Sequence, residues 1–362
     1  MHRRTFLTTA AATALSSTAR AAEPSAFDAA VGASAPGAAA FPTIAAAIAA
    51  APTPTIRPWR VLIGPGLWRE RLVIDKPAIH LIGTDRAASI VSYDLAAGMP
   101  GPDGKPVGTP GCASVFIRAP DFSARNLTLQ NAFDYVADLA HPVFERIGSN
   151  GAQAVAVMLD KGADRSVFED VDISGHQDTL FADQGRGLFR NCRIAGSVDF
   201  IFGAGRMWFD RCEIVSRYRP LMQRNHGFIA VPSTPRAQPF GLVFDHCRLT
   251  REAQVPPASV VLGRPWRPGR QFADGRYGDP GAVGMAAFFH CWMDDHISAD
   301  GWDEMGYADK TGRRVFLEPG EARLAEFAST GPGAIVTRRR PQLTAAQARG
   351  MTQGRVLEGW SI

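Results

Sequence analysis

The sequence predicts an all-β protein, a single-stranded right-handed parallel β-helix with short capping helices at its ends. The first observation behind this is a repeated unit: Phe168-x-x-Val171-x-Ile173, Phe189-x-x-Cys192-x-Ile194, Phe209-x-x-Cys212-x-Ile214, Phe244-x-x-Cys247-x-Leu249 and Phe288-x-x-Cys291-x-Met293. Ala124-x-x-Leu127-x-Leu129 is a weaker copy in the same phase, without the aromatic. Within each unit an apolar or Cys residue stands two before another, the period of a strand with one buried face, so each unit is expected to be one strand of a coil. The second is the spacing of 21, 20, 35 and 44 residues. A unit near 21 residues cannot bury its apolar face alone but can stack on its neighbours, and the longer spacings hold one coil plus a surface loop. The third is that convincing helical patterns occur only near the two ends.

In chain order, Met1 to Ala21 places Arg3 and Arg4 before an Ala/Thr/Leu-rich stretch ending in small residues, which reads as an export signal of the twin-arginine type. Residues 22–362 are expected to form one domain, exported to the periplasm or the medium. At 46% apolar and 20% charged residues the chain is no disordered polymer. No later stretch reaches the roughly 18 apolar residues of a membrane span, so no membrane anchor is expected. The formal charge of +4 includes Arg3, Arg4 and Arg20, leaving +1 after cleavage. Global charge therefore gives no sign of a nucleic acid or other polyanionic partner.

Residues 43–51 read as a short helix with Thr43 as its N-cap, closing the first coil, and a second helix is expected from about Thr344. Loops at 217–227 and 271–284 are long enough to wall a groove. The five cysteines fit no CxxC pattern. The register stacks Cys192, Cys212 and Cys247 in an interior column about 4.8 Å apart, which allows either a bridge between Cys192 and Cys212 or buried free thiols. The histidines form neither HxH nor HExxH, so no catalytic metal is expected. His176, with no Ser or Cys motif beside it, reads as structural.

The chemistry is carried by a second repeat. Gly175-His-Gln-Asp178-Thr-Leu-Phe181 and Gly196-Ser-Val-Asp199-Phe-Ile-Phe202 share the pattern GxxDxxF, and each Asp lies ten residues after its own repeat Phe. Asp178 and Asp199 therefore take the same station on adjacent coils, which brings their carboxyl groups within about 5 Å. Two charges at that distance repel by roughly 3 kcal/mol, about two pKa units, so one carboxyl keeps its proton to higher pH. An acid beside a carboxylate suits a displacement in which one attacks and the other protonates the leaving group. The same separation fits a retaining glycosidase, and a ladder of solvated aspartates also satisfies the register.

Neutral amides favour an ester hydrolase. Gln177 precedes Asp178, and Gln153 begins what reads as an apolar strand to Val157. Amide donors stabilise an oxyanion, whereas a glycosidase develops positive charge at carbon. Arg264, in Leu262-Gly-Arg-Pro-Trp266, can orient a nucleophilic carboxylate.

Taken together, Gln153-Ala-Val-Ala, Gly175-His-Gln-Asp-Thr-Leu-Phe181, Gly196-Ser-Val-Asp-Phe-Ile-Phe-Gly203 and Leu262-Gly-Arg-Pro-Trp266 resemble the pectin methylesterases, above all their Gram-negative bacterial members, over about Thr43 to Trp360. The resemblance implies Asp199 as nucleophile, Asp178 as proton donor and then base, Gln153 and Gln177 as oxyanion donors, and Arg264 as partner of Asp199. It implies a groove for methyl-esterified homogalacturonan lined by Phe181, Phe202 and Trp266, with Thr109, Val198, Val231 and Met305 as further candidates. It also implies a Cys192–Cys212 disulfide, no cofactor and a monomer. The sequence departs from the family in having Trp68 and Phe181 where Tyr is usual, and Gly269 where relatives can carry a polar groove residue. A related thioesterase, a pectate lyase or polygalacturonase, and a non-catalytic carbohydrate-binding β-helix are the alternatives.

Overall fold

The computed structural model describes residues 26–54, 57–142, 146–147, 151–220 and 225–360. The expected export segment, 1–21, lies outside them. Among the described residues, no helix is long and apolar enough to cross a membrane.

The strands wind into three parallel sheets of eleven, eight and seven strands, with seven successive coils each giving one strand to every sheet and the ends of the helix adding the rest. One coil runs Ser166–Glu169, Asp172–Ser174, Leu180–Ala182; the next runs Arg186–Arg190, Arg193–Gly196, Ile201–Gly203. This is the expected right-handed parallel β-helix. Its register follows the repeat: Phe168, Phe189, Phe209, Phe244 and Phe288 are partners in succession, and Ala124 pairs with Phe168. The five rings stack with centroids 4.6, 4.7, 4.5 and 4.4 Å apart and are fully buried. Truncating one to alanine is expected to cost about 3–5 kcal/mol.

The repeated unit is not one strand, however. It spans the end of a strand in the eleven-stranded sheet, a corner residue, and the start of the next strand in the eight-stranded sheet. The corner residue has positive φ in coil after coil: Asn126 at 53°, Asp170 at 55°, Asn191 at 52°, Arg211 at 52°, His246 at 53° and His290 at 49°. A left-handed residue turns the chain sharply enough to keep both flanking apolar positions pointing inward.

Cys192, Cys212, Cys247 and Cys291 do form one interior column. The disulfide expected between Cys192 and Cys212 is absent, and all five cysteines are free and buried. The rotamers explain this. Each thiol in the column donates to a carbonyl of the preceding coil, Cys192 to Phe168 at 3.4 Å and Cys212 to Phe189 at 3.4 Å. A backbone spacing of about 4.8 Å would accept a bridge, but side chains all turned toward the backbone behind them do not meet at about 2 Å.

The N-terminal cap is the helix Ile44–Ala49, whose first turn is closed by Thr43 Oγ1 accepting from the Ala46 amide at 3.1 Å, and whose Ile44, Ala47 and Ile48 are buried. At the other end Ala345–Arg349 starts from a capping box between Thr344 and Gln347, and a further short helix, Gln353–Val356, follows.

Candidate active site

The two aspartates sit at the turns that lead from the eight-stranded into the seven-stranded sheet. Both have positive φ, 63° at Asp178 and 51° at Asp199, a conformation that Asp tolerates better than most residues. The turns are locked together, since the Asp178 amide donates to the Val198 carbonyl at 2.9 Å and Gln177 pairs with Val198. Glycine is required before them for space. A Cβ on Gly196 would collide with Phe200 and Thr179, whose packed side chains hold the two turns in register. Arg217 supports the earlier turn by donating to the Gly175 carbonyl at 2.9 Å.

The two carboxyl groups, each 8% exposed, do not have the same surroundings. Asp199 is held by the Arg264 fork, Nε to Oδ1 at 2.9 Å and Nη2 to Oδ2 at 2.8 Å. Burial, reinforced by the charge of Asp199, pushes Asp178 well above the usual carboxylate range, and Arg264 opposes this only in part. A carboxyl group driven toward its acid form beside a second one oriented by arginine is an arrangement that can supply a proton donor and an attacking group.

Gln153, Gln177, Asp178, Asp199, Thr109, Phe181, Phe202, Val231, Trp266 and Met305 all line one cavity. Arg264 stands behind Asp199, with its guanidinium 3.8 Å from the Phe228 ring centroid. Gln153 does not begin a strand, which starts only at Val157; it lies in irregular chain stacked on the next coil, the Ala154 amide donating to the Gln177 carbonyl at 3.0 Å. Its buried Oε1 has no partner among the described residues. Val198 is mostly buried and is not among the residues lining the cavity; its backbone pairs with that of Gln177.

The aromatic wall follows from strand alternation. Leu180 and Ile201 point into the main core, while Phe181 and Phe202 point out and stack at 4.2 Å, with Trp266 edge-on to both at 6.2 and 5.7 Å. Gly269 lies at the cavity rim in the hairpin Gly269–Phe272 and Gly275–Gly278, which contributes Arg270 and Arg276. These arginines and Asp183 were not expected from the sequence. Asp183 was legible, standing two after Phe181 on the outward face; hairpin residues carry no repeat. The described residues of the 217–227 loop, 217–220 and 225–227, are not among those lining the cavity, and Trp68 is remote from it, its indole donating to the Gly64 carbonyl at 3.2 Å. His176 is stacked on Tyr135 at 5.2 Å, and burial pushes its pKa down to about 4, so it stays neutral as a packing residue.

A family model described as Pectinesterase matches residues 29–345. The chain is 41% identical over 324 residues to Pectinesterase A of Dickeya dadantii (strain 3937), covering 89% of this chain and 88% of that protein. Among solved structures, a pectin methylesterase in complex with hexasaccharide VII aligns with a TM-score of 0.88 at 42% identity, covering 92% of this chain and 98% of that one. Pectin methylesterase from Yersinia enterocolitica aligns with a TM-score of 0.85 at 38% identity, covering 89% of this chain and all of that one. On this evidence the chain belongs to the pectinesterase family of carboxylic ester hydrolases.

Proposed function

We propose that the protein hydrolyses the C6 methyl esters of homogalacturonan to free carboxylates and methanol, with Asp199 as nucleophile. The observation that carries the mechanism is the asymmetry of the carboxyl pair, in which one is gripped by Arg264 and the other is buried and driven toward its protonated form. Asp199 attacks the ester carbonyl carbon, and the resulting oxyanion is met by the amides of Gln153 and Gln177. Collapse breaks the bond to the methoxy oxygen, which leaves as methanol with the proton of Asp178. Asp178, now a carboxylate, takes a proton from water as that water attacks the acyl carbon. Asp199 is expelled as a carboxylate and Asp178 is again an acid.

Phe181, Phe202 and Trp266 offer flat apolar faces for the sugar rings, with Thr109, Val231 and Met305 around them. Export by the N-terminal segment, a monomeric state, and the absence of a membrane anchor, nucleic acid partner or cofactor belong to the same proposal. Incubation with highly methylated pectin tests it. Methanol and acid should appear in equal amounts, unchanged by EDTA and without shortening of the polymer. Shortened chains would indicate a lyase or glycosidase, and binding without methanol a carbohydrate-binding module.

A further inference from the structure

A second constellation lies at the corner between the eleven- and eight-stranded sheets, whereas the aspartate pair sits at the turns between the eight- and seven-stranded ones. His246 and His290 are corner residues of consecutive coils. They follow the strands Leu242–Asp245 and Met285–Phe289, whose register pairs Phe244 with Phe288 and Asp245 with Phe289. Each has positive φ and precedes a buried cysteine of the interior column. Stacking the coils therefore stacks the imidazoles, with ring centroids 4.7 Å apart. Asp245 joins them, its Oδ1 lying 2.9 Å from His246 Nδ1 and 3.0 Å from His290 Nδ1. One ligand atom from each of the three residues lies within 4.8 Å of the other two.

We propose that Asp245, His246 and His290 form a binding site for a divalent transition metal ion of the zinc class, shared between two coils. Two imidazole nitrogens and one carboxylate oxygen suit zinc, copper or nickel, whereas calcium and magnesium want oxygen ligands. Zinc bonds near 2.0–2.2 Å put neighbouring ligands of a tetrahedral ion about 3.3 Å apart, close to the two separations between the carboxylate oxygen and the imidazole nitrogens. The histidine side chains are 59% and 41% exposed, so small rotations can open the cluster around an ion, and water can complete the coordination. No arginine or lysine pairs with Asp245 among the described residues. Arg211, at the same corner one coil earlier, bonds instead to Asp210 at 2.7 Å. An ion here ties one coil to the next and raises stability by mass action. None of the three residues lines the cavity of the aspartate pair, so ester hydrolysis should not depend on it.

The test is calorimetric titration of Zn²⁺ into the untagged full chain, with Mg²⁺ in parallel and thermal unfolding with and without Zn²⁺. The comparison protein is the double variant His246→Asn, His290→Asn. Asn tolerates positive φ, and both positions are exposed, so the fold should persist, checked by circular dichroism. The wild type should bind one equivalent of Zn²⁺, ignore Mg²⁺ and melt at a higher temperature with zinc. The double variant should lose the thermal shift and bind at least about 10- to 100-fold more weakly, since removing ligands costs no less than removing their outer partners. Its methanol release should match the wild type. The absence of zinc binding, equal binding by wild type and variant, or equal binding of Mg²⁺ would overturn the proposal.

Discussion

Arg264 holds both oxygens of Asp199 with two near-parallel hydrogen bonds, at 2.9 and 2.8 Å, while its other face rests on Phe228. A fork of this kind fixes the direction in which the carboxylate can attack, which a point charge does not. Arg264→Lys should therefore keep the charge and lose the aim, lowering kcat by about 10²-fold. Arg264→Met should in addition destabilise the fold by about 3 kcal/mol by leaving Asp199 unpaired in a mostly buried place. Steady-state kinetics and denaturant titration separate the two effects.

Gln177→Ala and Gln153→Ala should each lower kcat by about 10² to 10³, the usual cost of one oxyanion donor, with little change in KM. A rise in KM alone would make either glutamine a binding residue instead.

Asp178 gives a signature in stability against pH. Because burial and Asp199 raise its folded pKa, the folded state holds this proton more tightly than the unfolded chain. The stabilisation is fully present below the unfolded pKa and is lost as pH rises through the folded one. Asp178→Asn should thus be more stable than the wild type at neutral pH, with the difference shrinking toward pH 4, as thermal melts across pH will reveal. The same variant should fail to turn over pectin, yet still accept an activated ester whose leaving group needs no proton.

Trp266→Ala removes one plane of the aromatic wall without touching the carboxyl pair. It should raise KM by about tenfold and leave kcat nearly intact, the pattern of lost uniform binding.

Much of this was legible in the chain because coil stacking turns sequence repeats into spatial neighbours. The Phe168 to Phe288 series gave the register, and the matching stations of Asp178 and Asp199 brought the two carboxyl groups to adjacent turns. The corner inside each unit was harder to see. Asn126, Asp170 and Asn191 are residues that accept positive φ, but Arg211 holds the same place and hides the rule. Arg270 and Arg276 arrive from an antiparallel hairpin that stands outside the coil repeat, so no register leads to them. The Cys192 and Cys212 column was foreseen, but side-chain rotamers, which decide between thiol and bridge, are not written in a spacing.

The central claim is that Asp199 is the attacking group, and methanol release from highly methylated pectin by Asp199→Ala tests it most directly. The variant must first match the wild type by circular dichroism. The mechanism predicts activity below about a thousandth of wild type, since the remaining donors can bind the ester but nothing can form the covalent intermediate. Retention of more than about a tenth of wild-type turnover would contradict it, because loss of a true nucleophile costs several orders of magnitude.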